Sequence, residues 1–305
     1  MRNLSTLAWR VYDAPTKPWH GVVADTEGDD SVYVMRVERR DGVSQLTLAH
    51  ITPTGTEELA VLEVASAPPH VPDVADFRLL ADGGSSVNHM PAICVIGSGG
   101  DIVLMPVDEE ASAPAEVVGS VDQGILAAAW SPEEDVLVLI TGGEKRLIVM
   151  TREFEVMSET MLSTEAFGDD QPVNVGWGSK STQFHGSEGK QAAVAAANAP
   201  EENDPRGPLV PEDDGLPRIS WRGDGAFFVT SSAEASNDTV HRILRTYTRT
   251  GTLSATSDRS VRGISHVLAC RPTGNLIATT QRMGGPWAPG RHGRHDVVFF
   301  ERNGL

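Results

Sequence analysis

ILAAAWSPEEDVLVLIT, residues 125–141, sets two apolar stretches on either side of a tight polar turn. The same layout returns in PRISWRGDGAFFVTSS, residues 217–232, and in SHVLACRPTGNLIATT, residues 265–280. The turns Ser131-Pro132-Glu133-Glu134, Arg222-Gly223-Asp224-Gly225 and Arg271-Pro272-Thr273-Gly274 hold the same place in each. Proline presets φ at the second turn position, Asp or Thr accepts a local backbone bond, and Gly supplies a positive φ where the hairpin closes. Each segment is therefore predicted to be a β-hairpin.

The spacing of these hairpins carries the next step. Trp221 and Cys270, each just ahead of its turn, lie 49 residues apart, while Trp130 and Trp221 lie 91 apart with Trp177 near the middle. A period in the high forties, built of several strands per unit, predicts a β-propeller of four-stranded blades. A blade cannot bury both faces by itself, so stacked neighbours make the inner strands almost wholly apolar, as in DVLVLIT at 135–141 and AFFVTS at 226–231.

Third strands are expected at 145–153, 241–252 and 296–305. A further unit is expected over 76–84, 91–98 and 101–108, and a degenerate first one over 31–39 and 44–52. This gives an all-β chain of four to five blades, short of a seven-bladed ring and stopping after the third strand of its last unit. Such a ring would leave edge strands open, and the expectation is a single propeller portion, 1–305, truncated from something longer. The polar stretch from about 179 to 216, with its Ala-rich QAAVAAAN at 191–198, is expected to be an inserted flexible loop.

Composition bounds the function. The 305 residues are 40% hydrophobic and 22% charged, enough to bury a substantial core. A formal net charge of -17 makes the average surface repel phosphate. Cys94 and Cys270, the two cysteines, give neither metal-ligand spacing nor a disulfide framework, which fits a reducing compartment. There is no apolar leader at the N-terminus and no run of about 18 apolar residues, so neither secretion nor a membrane span is expected.

The family resemblance lies in VNVGWGSKSTQFHGSEGKQ at 173–191, followed by ISWRGDGAFFVT at 219–230. With MRNL at 1–4, AWSPEEDVLVLITGG at 129–143, LIVMTREFEVM at 147–157 and VVFFERNGL at 297–305, these segments resemble the N-terminal region of the elongator complex protein 1 family. The resemblance implies a longer parent with two successive propellers, a dimerising helical repeat and a basic tRNA-contacting segment. It further implies a non-catalytic scaffold without cofactors of its own. That scaffold would hold a catalytic radical-SAM, acetyltransferase-like subunit and a second propeller subunit. The reaction served would be formation of 5-methoxycarbonylmethyl and carbamoylmethyl side chains on the wobble uridine of tRNA, with tRNA reached only through the complex. The expected compartment is the cytoplasm, with the nucleus not separable from it.

Ser187, His185 and Asp213 could be assembled into a hydrolytic set on paper, but no G-x-S-x-G elbow accompanies them. Gly186-Ser187-Glu188-Gly189-Lys190 fails the phosphate-loop pattern at Phe184 and at Gln191. Trp177, Gln183, Phe184 and His185 are read as packing residues that could also meet a partner. Arg291, His292 and Arg294, downstream of Trp287, interleave positive charge with an aromatic and form the candidate RNA contact, with an ordinary exposed loop as the preferred reading. Direct RNA binding is thus the rival to the scaffold.

Overall fold

The computed structural model describes residues 19–24, 31–52, 54–80, 91–107, 114–163, 207–236, 239–257, 261–287 and 290–304. Among these residues the secondary structure is all β, in two compact units, Met1–Ser120 and Val121–Leu305. Trp177, Gln183, Phe184 and His185 lie outside the described residues, as does most of the expected loop at 179–216.

The first unit holds two four-stranded antiparallel sheets. One is β1 (Trp19–Ala24), β2 (Val32–Arg40), β3 (Val43–Ile51) and β4 (Thr56–Ala65), so the unit expected to be degenerate is a full sheet. Its central hairpin closes at Asp41-Gly42, where φ values of 46° and 87° give the two left-handed residues that match strand twist. The other is β5 (Val74–Leu80), β6 (Ala92–Gly97), β7 (Asp101–Pro106) and β8 (Glu116–Ser120). Tyr33, Met35, Val37, Leu46 and Leu48 pack against Leu79, Ile93, Val95, Val103 and Met105 to form their common core. The Asp101 carboxylate ties the sheets at their rim, accepting the Ala65 N–H at 2.8 Å and the Ser120 hydroxyl at 3.0 Å.

Among its described residues the second unit holds three sheets, each strand paired with its sequence neighbour. The first contains β9 (Ile125–Trp130), β10 (Val136–Thr141), β11 (Arg146–Thr151) and β12 (Val156–Met161). The next contains β13 (Arg218–Trp221), β14 (Phe227–Ser236), β15 (Thr239–Thr248) and β16 (Leu253–Thr256). The last has three strands, β17 (Ala269–Cys270), β18 (Leu276–Arg282) and β19 (His295–Glu301). Five antiparallel sheets of three or four strands are consistent with an incomplete propeller, as the 49-residue step predicts.

The three repeats superpose in their bonding. Ser131, Arg222 and Arg271 donate their N–H to Val136, Phe227 and Leu276 at 2.8, 3.0 and 2.9 Å, closing equivalent turns. Every residue of β10 is buried, as its apolar run predicts. Phe228 and Tyr247 of the middle sheet pack toward Val136, Val138 and Ile140, while Phe227, Val229 and Leu244 face Ile277 and Phe300 of the last sheet. Full burial of each such side chain stabilises by roughly 1.5–3 kcal/mol, so stacking of neighbouring sheets dominates the energetics. The outer strands β8, β12 and β16 carry no long hydrophobic run of their own, and β4 carries a short one, Leu59–Leu62; in each case the ladder of the third strand places the fourth.

Candidate functional site

Two ends of the second unit differ in chemistry. At one end the repeated turns interlock. Arg249 donates to the Gly225 carbonyl at 3.0 Å and to the Asp135 carboxylate, joining the first two turns. Arg222 reaches Asn275 at 3.3 Å, joining the second and third. Gly223 lies so close to Pro272 that a Cβ there would come within 2.8 Å of its carbonyl. This end is a set of structural contacts between turns.

The opposite end carries the β18–β19 connection and the chain entering β13. The sequence-marked residues Arg291, His292 and Arg294 lie here, all exposed. Arg294 is engaged by Asp296, donating from Nε at 2.6 Å and Nη2 at 2.9 Å, and the carboxylate holds the guanidinium above its ordinary pKa. Gly284, at φ 99°, passes so near His292 that a Cβ would come within 2.5 Å of its Cα, which fixes the shape of the connection. The neighbouring aromatic is also engaged: Trp287 donates its indole N–H to the Leu209 carbonyl at 3.2 Å. Arg282 lies 4.7 Å over the Trp287 ring and pairs with Glu212, whose carboxyl its hydrogen bond holds below the ordinary value.

Sequence reading missed the ionic groups beneath this surface. Arg242 and Asp213 form a bidentate pair, at 2.7 and 2.5 Å, with both side chains fully enclosed. Asp213 is thereby committed to Arg242 and is no member of a hydrolytic set. Arg245 pairs with Glu234, which also accepts from Ser232 at 2.8 Å and Ser163 at 3.0 Å. Burial works to raise the Glu234 carboxyl, yet the Arg245 hydrogen bonds and charge hold it below its ordinary value. Lys145 donates to the Ala233 carbonyl at 3.0 Å. The available signal was HRILR at 241–245, two arginines flanking Ile243 and Leu244; their partners lie 29 and 11 residues away and share no motif with them.

Among the described residues, Asp213, Asp214 and His266 bring potential cation ligands within 4.8 Å of one another. Arg242 and Arg218 already meet the two carboxylates, so positive charge stands where a divalent ion would go. Cys270 sits on β17 with its thiol donating to the Ser220 carbonyl at 3.3 Å, and burial pushes its pKa up to about 11, which keeps it a weak nucleophile. The geometry is that of charges paired within the chain.

The model of the ELP1 first N-terminal beta-propeller matches residues 1–305. The chain belongs to this family. Elongator complex protein 1 of Mus musculus is 34% identical over 316 residues, covering 100% of this chain and 20% of its own length. The Oryctolagus cuniculus relative of the same name is 39% identical, covering 70% of this chain and 14% of its own, and that of Schizosaccharomyces pombe is 36% identical, covering 70% and 16%. The chain thus spans about one fifth of these relatives' length or less. Among solved structures, Chaetomium thermophilum Sqt1 aligns with 90% of this chain and 53% of its own at 15% identity and a TM-score of 0.41.

Proposed function

We propose that this propeller portion is a non-catalytic scaffold of the Elongator complex, serving modification of the tRNA wobble uridine. The observation that carries the reading is the family match over all 305 residues, from the first strand to β19. The surface chemistry supports it. Arg294 of the sequence-marked patch is bonded to Asp296, Arg282 beneath Trp287 is bonded to Glu212, and a net charge of -17 repels a phosphate backbone. In this reading the partners are the catalytic radical-SAM, acetyltransferase-like subunit and a second propeller subunit. tRNA is reached only through them, cofactors belong to the partner, and the work is cytoplasmic with a nuclear fraction.

The test is affinity purification of the chain from cell extract, with identification of bound proteins and measurement of RNA retention at low and high salt. Recovery of Elongator subunits with little RNA is expected. Salt-sensitive RNA retention without those proteins, abolished by Arg291→Ala, would replace the scaffold by the RNA-binding reading.

A further inference from the structure

The middle sheet of the second unit has an uneven outer edge. β15 runs for ten residues, from Thr239 to Thr248, but β16 pairs only with Arg245, Thr246 and Tyr247. Ser257 extends that contact by donating its N–H to the Leu244 carbonyl at 2.9 Å. Beyond Leu244, the edge of Thr239–Ile243 has no strand from β16 beside it. Residues 207–216 cross there instead, and Leu209 donates its N–H to the Val240 carbonyl at 2.9 Å.

This segment is held almost entirely by polar ties. Asp213 takes the two Arg242 nitrogens, Arg242 also donates to the Leu216 carbonyl at 3.1 Å, Glu212 pairs with Arg282, and Trp287 donates to the Leu209 carbonyl. Gly207, at φ 74°, fits against Pro286, whose carbonyl a Cβ would approach to 2.8 Å. The apolar anchor is Val210, 2% exposed, while Pro208, Pro211, Glu212 and Asp214 face solvent. The rest of the sheet is held by stacked apolar side chains on both faces.

These two modes of attachment have different free energies of opening. Segments with few buried apolar contacts open locally well below the global unfolding free energy. An enclosed ion pair contributes little net stability, because its Coulomb attraction is offset by desolvation, and both groups regain water on release. We propose that residues 207–216 are a releasable strap that closes the uneven edge of β15 and opens without unfolding the sheet. Opening uncovers the outward backbone groups of Thr239–Ile243, so the strap controls access to a strand edge. This does not rest on the scaffold reading.

Native-state hydrogen exchange on the whole chain tests it. The amide of Leu209 should exchange at least about tenfold faster than the amides of β14. In Glu212→Gln, an exposed position that leaves the sheet core untouched, Leu209 should speed up by about a further tenfold while β14 does not change. Trp287→Phe, which removes only the indole donor, should act in the same direction. Leu209 exchanging in step with β14, in the parent chain or in either variant, would overturn the proposal by making the segment an integral part of the sheet. So would a Leu209 rate that neither substitution alters.

Discussion

Trp221 donates its indole N–H to the carbonyl of Ala129, 92 residues earlier in the chain, at 3.2 Å. The bond ties β13 to β9, and the next repeat copies it: Cys270, in the position of Trp221, donates its thiol to the carbonyl of Ser220, in the position of Ala129. One structural position, just ahead of the second and third turns, thus links a sheet to its predecessor. The Trp221 ring also meets Phe228 at 4.9 Å, and Phe228 stacks on Tyr247 at 5.3 Å.

Separating the bond from the ring is straightforward. Trp221→Phe keeps the packing and loses the donor, and should lower the stability of the second unit by about 1 kcal/mol. Trp221→Ala should cost about 3 kcal/mol, since it also leaves a cavity between the sheets. Equal urea midpoints for the two variants would show that the hydrogen bond, not the ring, carries the contact.

Glu134 occupies the turn position that Gly225 and Gly274 hold in the other repeats, and it does so at φ 60° against 67° and 92°. A side chain in that left-handed region is strained, whereas glycine is not. Glu134→Gly should therefore stabilise by up to about 1 kcal/mol, less the added freedom of the unfolded chain. A rise in melting temperature checks it; a fall would mean that the Glu134 side chain contributes more than its backbone strain costs.

The pair Arg245–Glu234 is nearly enclosed, at 1% and 10% exposure. Arg245→Met, which strands the carboxylate, should destabilise by about 3 kcal/mol or more, whereas the double change with Glu234→Leu should cost distinctly less. Because the Glu234 carboxyl is held below its ordinary 4.5, the pair stabilises above that value, and the contribution fades as pH falls through the lower folded value. Unfolding curves of the two variants, measured side by side at neutral and acidic pH, decide the matter.

Asp76 in β5 has the opposite sign. Burial pushes its carboxyl from 3.8 up to about 6, against the opposing Phe77 N–H and Arg78 charge. Between those values the folded chain binds more protons than the unfolded one, so stability falls as pH rises across the window. Asp76→Asn should be more stable than the parent at about pH 7 and indistinguishable from it at about pH 3. Parallel pH profiles for the two chains would exclude the burial of this charge as their cause.

Much of the fold was legible without coordinates. The turns at 131–134, 222–225 and 271–274 announce hairpins because proline and glycine restrict φ locally, and the apolar runs of β10 and β14 announce burial on both faces. The 49-residue step then fixes a stack of like sheets, and the acidic balance fixes a surface that repels phosphate. These are short-range or summed properties, which a chain carries before it folds. The outer strands, the strap at 207–216, the engagement of Trp287 and Arg294, and the pairs Asp213–Arg242 and Glu234–Arg245 were decided only by the tertiary structure. Each depends on strand register and on packing between groups distant in sequence, and a charge finds its partner only once neighbouring strands and loops have removed it from water.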